Sequence, residues 1–258
     1  MVDELQWGAG IGEGRAQCCD HRAQSRRQLI PRHRIGQGRR IYQNFKKAVF
    51  YVVSIHIPIV LMVAVPLLAG WEWANLFTPL HIIFLELVMG PTCSIAFENE
   101  PAEAGQMQQP PRPLTATFLA GAELARSLVQ GLAIAAAVLG VYYEAMQRGE
   151  PVAVGRTLVF ATLVMSNIFL TLVNRSFTLL VFQTLWVRNR VLWLMLALTL
   201  GLLLVALWLP AARHLFEFAP VSAGALGWCA LAALVGTGWI EGYKVVLRRL
   251  AQQKHNSV

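Results

Sequence analysis

Six stretches of the chain are apolar almost without interruption: residues 48–69, 77–97, 115–142, 157–174, 191–210 and 223–243. Each is near the length of about 20 residues that a helix needs to cross a bilayer core. The connections between them are polar. This pattern predicts an all-α membrane protein with six transmembrane helices in a bundle. Residues 1–37 read differently: Gly, Arg, Gln and His dominate and no apolar period is visible, which predicts a disordered basic leader. The expected organisation is a leader at 1–37, a membrane domain at 38–250 and a tail at 251–258. Trp71, Trp73 and Pro79 mark a turn at one membrane interface, and Tyr142 and Tyr143 mark that interface again. The run Leu179 to Trp186, inside the loop 175–190, reads as an amphipathic piece lying at the other.

The apolar stretches are not uniform. The second contains Glu86, Gly90, Pro91, Thr92 and Ser94. A carboxylate at membrane depth is costly and by default marks a functional site. Pro91 lacks an N–H and clashes with the Leu87 carbonyl, so the helix opens there. Open backbone at that depth is tolerated where it is buried in protein or lines a cavity. A carboxylate beside freed carbonyls suits a cation. The first stretch contains Ser54, His56 and Pro58, and Pro58 frees the Ser54 carbonyl. In the fourth, Asn167 reads first as a hydrogen bond between helices. In the third, Glu123 and Arg126 lie one turn apart and read as a pair within the helix. The fifth is almost purely Leu, Ala, Val and Trp, a scaffold.

Composition agrees. The chain has 258 residues, 56% of them hydrophobic and only 14% charged, which is the balance of a membrane protein. Its net charge of +8 is uneven, because ten of the 22 Lys and Arg precede residue 48. Beside a hydrophobic span such a flank reads as cytoplasmic rather than as a nucleic-acid arm, so no nucleic-acid partner is expected. Six crossings then place both termini in the cytoplasm, in an inner (plasma) membrane. The four cysteines, Cys18, Cys19, Cys93 and Cys229, have no zinc spacing and read as reduced thiols.

Several motifs together resemble a known family. Glu86, Pro91-Thr92-Cys93-Ser94, Phe97-Glu98, Glu100-Pro101 and Pro110-Pro111-Arg112-Pro113 are similar to the sixth membrane helix, and the loop after it, of cation-transporting P-type ATPases, most like the bacterial branch similar to calcium pumps. Gly38 to Lys47 resembles the entry to that family's fifth helix. The resemblance runs from residue 38 to the end and implies helices five to ten of such a pump. It implies an ion pathway with Glu86 as the metal-ligating charge and His56, Thr92 and Asn167 as neutral ligands or pore lining, beside carbonyls opened by Pro58 and Pro91. The family has an aspartate before Pro-Thr-Cys-Ser where this chain has Gly90. One carboxylate favours a proton, a monovalent cation or weaker divalent binding. The phosphorylated Asp-Lys-Thr-Gly-Thr loop and the Thr-Gly-Asp-Gly loop do not occur in the sequence. ATP and Mg2+ belong to the intact family, and no cofactor is expected in this chain. The leader departs from the family's pattern and reads as disordered, or as out-of-frame translation of a lost domain.

The expected function is therefore the membrane-embedded C-terminal portion of a cation pump, truncated and inactive alone. Its expected partners are the bilayer, a cation and the missing ATPase portions. The alternative is a stand-alone assembly module or a small ion-conducting bundle using Glu86.

Overall fold

A computed structural model of the chain describes residues 7–71, 76–91, 95–103, 105–108, 110, 118, 120–177 and 179–256. Its helices are α1 (Trp7–Leu68), α2 (Pro79–Pro91), α3 (Gly121–Gln147), α4 (Val152–Val173), α5 (Val181–Leu185), α6 (Arg190–Trp208), α7 (Pro210–Leu215) and α8 (Ala223–Asn256). No strand occurs among the described residues. Two compact units form: the described residues of Met1–Gln43 with Ala102–Pro111, and those of Asn44–Pro101 with Arg112–Val258. In the first, Arg39 Nη1 donates to the Gln106 carbonyl at 2.6 Å. The second unit carries the candidate chemistry.

One expectation needs correction. Helical geometry begins at Trp7, so the part of the leader from residue 7 onward is helical rather than irregular. Arg, Gln and Ala are strong helix formers and outweigh the scattered glycines. Five helices among the described residues are long and apolar enough to cross a membrane: Arg32–Leu68, Gly121–Gln147, Val152–Val173, Arg190–Trp208 and Ala223–Leu250. Within the expected second span, α2 is described as far as Pro91 and helical geometry is described again at residues 95–98. α1 runs through Pro58 to Leu68.

The core of the second unit is built around α4. Val159, Phe160, Ala161, Thr162, Leu163 and Val164 are consecutive and all buried. A helix apolar on every side is one surrounded by neighbours, and α4 packs against α3, α8 and α6. Lipid tails are as apolar as leucine, so burial of apolar surface does little to drive such helices together; close packing and hydrogen bonds do more. Gly131 shows the first effect. A Cβ there would lie 2.6 Å from Ile57 Cδ1 and 2.7 Å from the Ser54 carbonyl oxygen, so α1 and α3 touch through backbone. Gly236 on α8 does the same against Ala137 and the Ala133 carbonyl of α3.

Each end of α4 is tied by polar contacts. At its start, the fully buried His81 of α2 sits among Phe77, Phe160, Phe216 and Phe218. Its Nδ1 accepts from the Thr78 N–H at 3.1 Å and its Nε2 lies 2.8 Å from the Phe216 carbonyl. One nitrogen accepts and the other donates, which defines a neutral ring with a single tautomer. Past the end of α4, the buried Arg175 holds Glu100 and reaches the carbonyls of Thr184 (2.6 Å) and Val187 (3.0 Å). Asn189 caps α6 by accepting from the Leu192 N–H at 3.0 Å, and its amide also donates to Glu100 at 2.7 Å. Lys244 of α8 donates to the Val173 carbonyl at 2.8 Å and to Glu241 at 2.8 Å. The loop after α4 is thus fixed by buried ionic contacts. Within it, Phe182 and Trp186 of the α5 region stand exposed, as an interfacial piece requires.

Candidate cation pathway

Of the residues singled out for chemistry, two meet directly. His56 Nε2 on α1 lies 3.2 Å from Glu86 Oε1 on α2. Helix α1 sets the imidazole's orientation, because Nδ1 lies 2.8 Å from the Val52 carbonyl one turn back. A carbonyl only accepts, so Nδ1 carries a hydrogen. Nε2 is thereby left facing the Glu86 carboxylate, and the pair brings a polar group of α1 against one of α2.

This pair is not enclosed. The side chains of His56 and Glu86 are 46% and 47% exposed. Around them Val60, Val63, Ile83 and Leu87 are exposed too, so the pair lies on an apolar outer face of α1 and α2. Gly90, one turn after Glu86, is exposed on α2, and a Cβ placed there would meet nothing within 4 Å. The face thus has room for the carboxylate that the resemblance puts at this position.

The other candidates are placed elsewhere. Asn167 is buried on α4 and accepts a short hydrogen bond from the Tyr51 hydroxyl of α1, while its Nδ2 finds no partner among the described residues. Its side-chain bond ties α4 to α1 and does not run to His56 or Glu86. Thr92 lies outside the described residues. α2 is described as far as Pro91, and the expected opening beyond it lies outside the described residues. The Ser54 carbonyl freed by Pro58 faces Gly131 of α3 rather than Glu86, so it serves a helix crossing. Among the described residues no three His, Cys, Asp or Glu side chains gather as a metal cluster. The Glu123–Arg126 pair expected from spacing is not made. Glu123 bonds Lys46 at 2.6 Å and the Ala120 N–H at 3.1 Å instead.

Sequence reasoning missed Tyr51, His81, Glu100 and Arg175. Tyr51 is a tyrosine inside an apolar span, and its hydroxyl was a usable signal of a partner. The others gave none: Arg175 counts only as a loop charge until the fold buries it.

Residues 74–246 match the family described as cation-transporting ATPase, C-terminus. The chain belongs to that family. It is 28% identical over 215 residues to a calcium-transporting ATPase of Listeria monocytogenes, covering 82% of this chain and 24% of that protein. It is 29% identical over 198 residues to calcium-transporting ATPase 1 of Lactococcus lactis, covering 76% and 22%. A calcium-transporting ATPase of Schizosaccharomyces pombe is 24% identical over 149 residues, covering 58% and 16%. The chain therefore spans about a quarter or less of the length of these relatives. This C-terminal ATPase domain is an integral membrane portion of a cation-transporting P-type ATPase, with its helices built for the bilayer.

Proposed function

We propose that this domain contributes one wall of a cation pathway, with Glu86 as its charge and His56 as a neutral ligand or pore-lining neighbour. The observation that carries the reading is the half-exposed His56–Glu86 pair on an apolar face. A carboxylate facing lipid is costly. A further helix against this face would enclose the pair and complete the site, and the missing ATPase portions are the natural supplier. The ATP- and Mg2+-dependent steps belong to those portions, so the chain by itself is inactive as a pump. Thr92, the Asn167 amide and the carbonyls beside Pro91 are the neutral groups of the pathway. The cation is monovalent or divalent; the named relatives transport calcium, and Gly90 removes a carboxylate from the set. In this reading the segment 77–97 makes a sixth crossing, and both termini lie on the cytoplasmic side of the inner membrane.

The test uses inverted membrane vesicles containing the full chain, with and without a separately produced phosphorylation and nucleotide portion of a relative. ATP-driven calcium uptake is expected only with both pieces, and Glu86→Gln abolishes it. Uptake by the chain alone would overturn the reading. A second reading, passive conduction through a bundle using Glu86, is favoured by the same exposed pair. It requires a proton leak in liposomes that Glu86→Gln removes.

A further inference from the structure

A crevice away from the His56–Glu86 face has a different chemistry. It lies between α1, the first turns of α3, the residues that follow α4, and α8. It is partly open, and its cavity volume is about 20 Å³, room for roughly one water. The central feature is Arg126. Its guanidinium carbon lies 5.3 Å from the ring centres of both Phe50 and Phe177. The two rings meet edge to face at 5.3 Å and 76°. They hold the guanidinium in place but offer its in-plane N–H groups no oxygen. Its neighbour Glu123 is taken by Lys46 and the Ala120 N–H. Among the described residues no carboxylate or carbonyl accepts a hydrogen bond from Arg126.

A second group points the same way. Asn174, 8% exposed, lines the crevice, and its Nδ2 has no partner among the described residues. A cation and a buried amide donor, both short of acceptors, call for a ligand rich in oxygens. Arginine's planar fork matches phosphate oxygens in particular. The depth identifies the carrier. Trp239 and Tyr243 pack together on α8 beside Lys244, and such aromatic and basic residues mark the level of lipid headgroups. Phe50, Phe177 and Ile240 make the crevice walls apolar, which suits an acyl chain rather than a free ion.

We propose that this crevice binds the phosphate group of an anionic phospholipid, with Arg126 as the main ligand and Asn174 as the second. The headgroup sits at the open mouth, because the crevice itself admits only water. The proposal is independent of the cation pathway.

Native mass spectrometry of the detergent-purified full chain tests it, with added phosphatidylglycerol or phosphatidylcholine as probes. Wild type should retain one phosphatidylglycerol in preference to phosphatidylcholine. Arg126→Gln should weaken that retention about tenfold, the scale of one basic group at a headgroup surface plus its hydrogen bonds. Arg148→Gln, a change in an exposed arginine at the other end of α3, should leave it unchanged. Equal retention by Arg126→Gln and wild type overturns the assignment. Displacement of the lipid by inorganic phosphate at millimolar concentration overturns the lipid source and makes the crevice a free-anion site. Should Arg126→Gln fail to fold, Arg126→Lys carries the test: it keeps the charge but loses the fork, and wild-type retention by it overturns the proposal.

Discussion

Removing Arg175 should damage the domain more than any other single change of a charged residue. Its side chain is fully buried and that of Glu100 is 5% exposed, with Nη2 and Oε1 3.0 Å apart. Nε also donates to Oε1 at 3.0 Å, and the Thr184 and Val187 carbonyls accept from Nη1 and Nη2. Arg175→Met would take the guanidinium away from the buried Glu100 carboxylate while leaving the Asn189 amide on it. Breaking a buried pair from one side costs about 3–5 kcal/mol. Glu100→Gln is milder, because Arg175 keeps its carbonyl partners; about 1–3 kcal/mol is expected. The double variant should cost less than the sum of the two, with a coupling of about 1–3 kcal/mol. The assay is reversible unfolding in mixed micelles of rising SDS fraction, followed by fluorescence of the chain's eight tryptophans. A loss under about 1 kcal/mol for Arg175→Met, or simple additivity in the cycle, would refute the argument that this pair holds the loop after α4.

Three further outcomes follow from particular contacts. Gly131→Ala forces a methyl to within 2.7 Å of the Ser54 carbonyl, a backbone atom that cannot swing away, so α1 and α3 should separate at a cost of about 1–3 kcal/mol; an unchanged melting temperature would show that they do not cross there. His81→Leu strands the Phe216 carbonyl and the Thr78 N–H, and should cost about 1–3 kcal/mol in the same SDS titration. Gly90→Asp meets no obstruction and restores a second carboxylate one turn from Glu86. Calcium affinity by isothermal titration of the domain with its ATPase portions should rise about tenfold, and an unchanged affinity would mean that position 90 does not face the ion.

The parts legible in the sequence were those set by solvent and by single residues. Long apolar runs in α1, α3, α4, α6 and α8 need no tertiary information, because the bilayer demands satisfied backbone and apolar length in each segment separately. The His56–Glu86 meeting was half legible. Both residues stood out as polar groups in apolar spans, but nothing in their spacing said that they would touch.

The rest depended on which helices became neighbours. Pro58 carries the same chemistry as Pro91, yet α1 continues through it, and the Ser54 carbonyl it frees turns to Gly131. Glu123 had two basic groups in reach and took Lys46 on another helix over Arg126 on its own. Arg175 and Glu100 are 75 positions apart and each reads as an ordinary loop charge; only packing makes them a buried pair. By itself, then, the sequence determined that this is a helical membrane domain and which family it resembles, since those depend on composition and motif. The tertiary structure alone decided which polar groups are partnered and which face outward. A hydrogen bond or ion pair in a bundle is made across helices, and its strength depends on the burial that the neighbouring helices create.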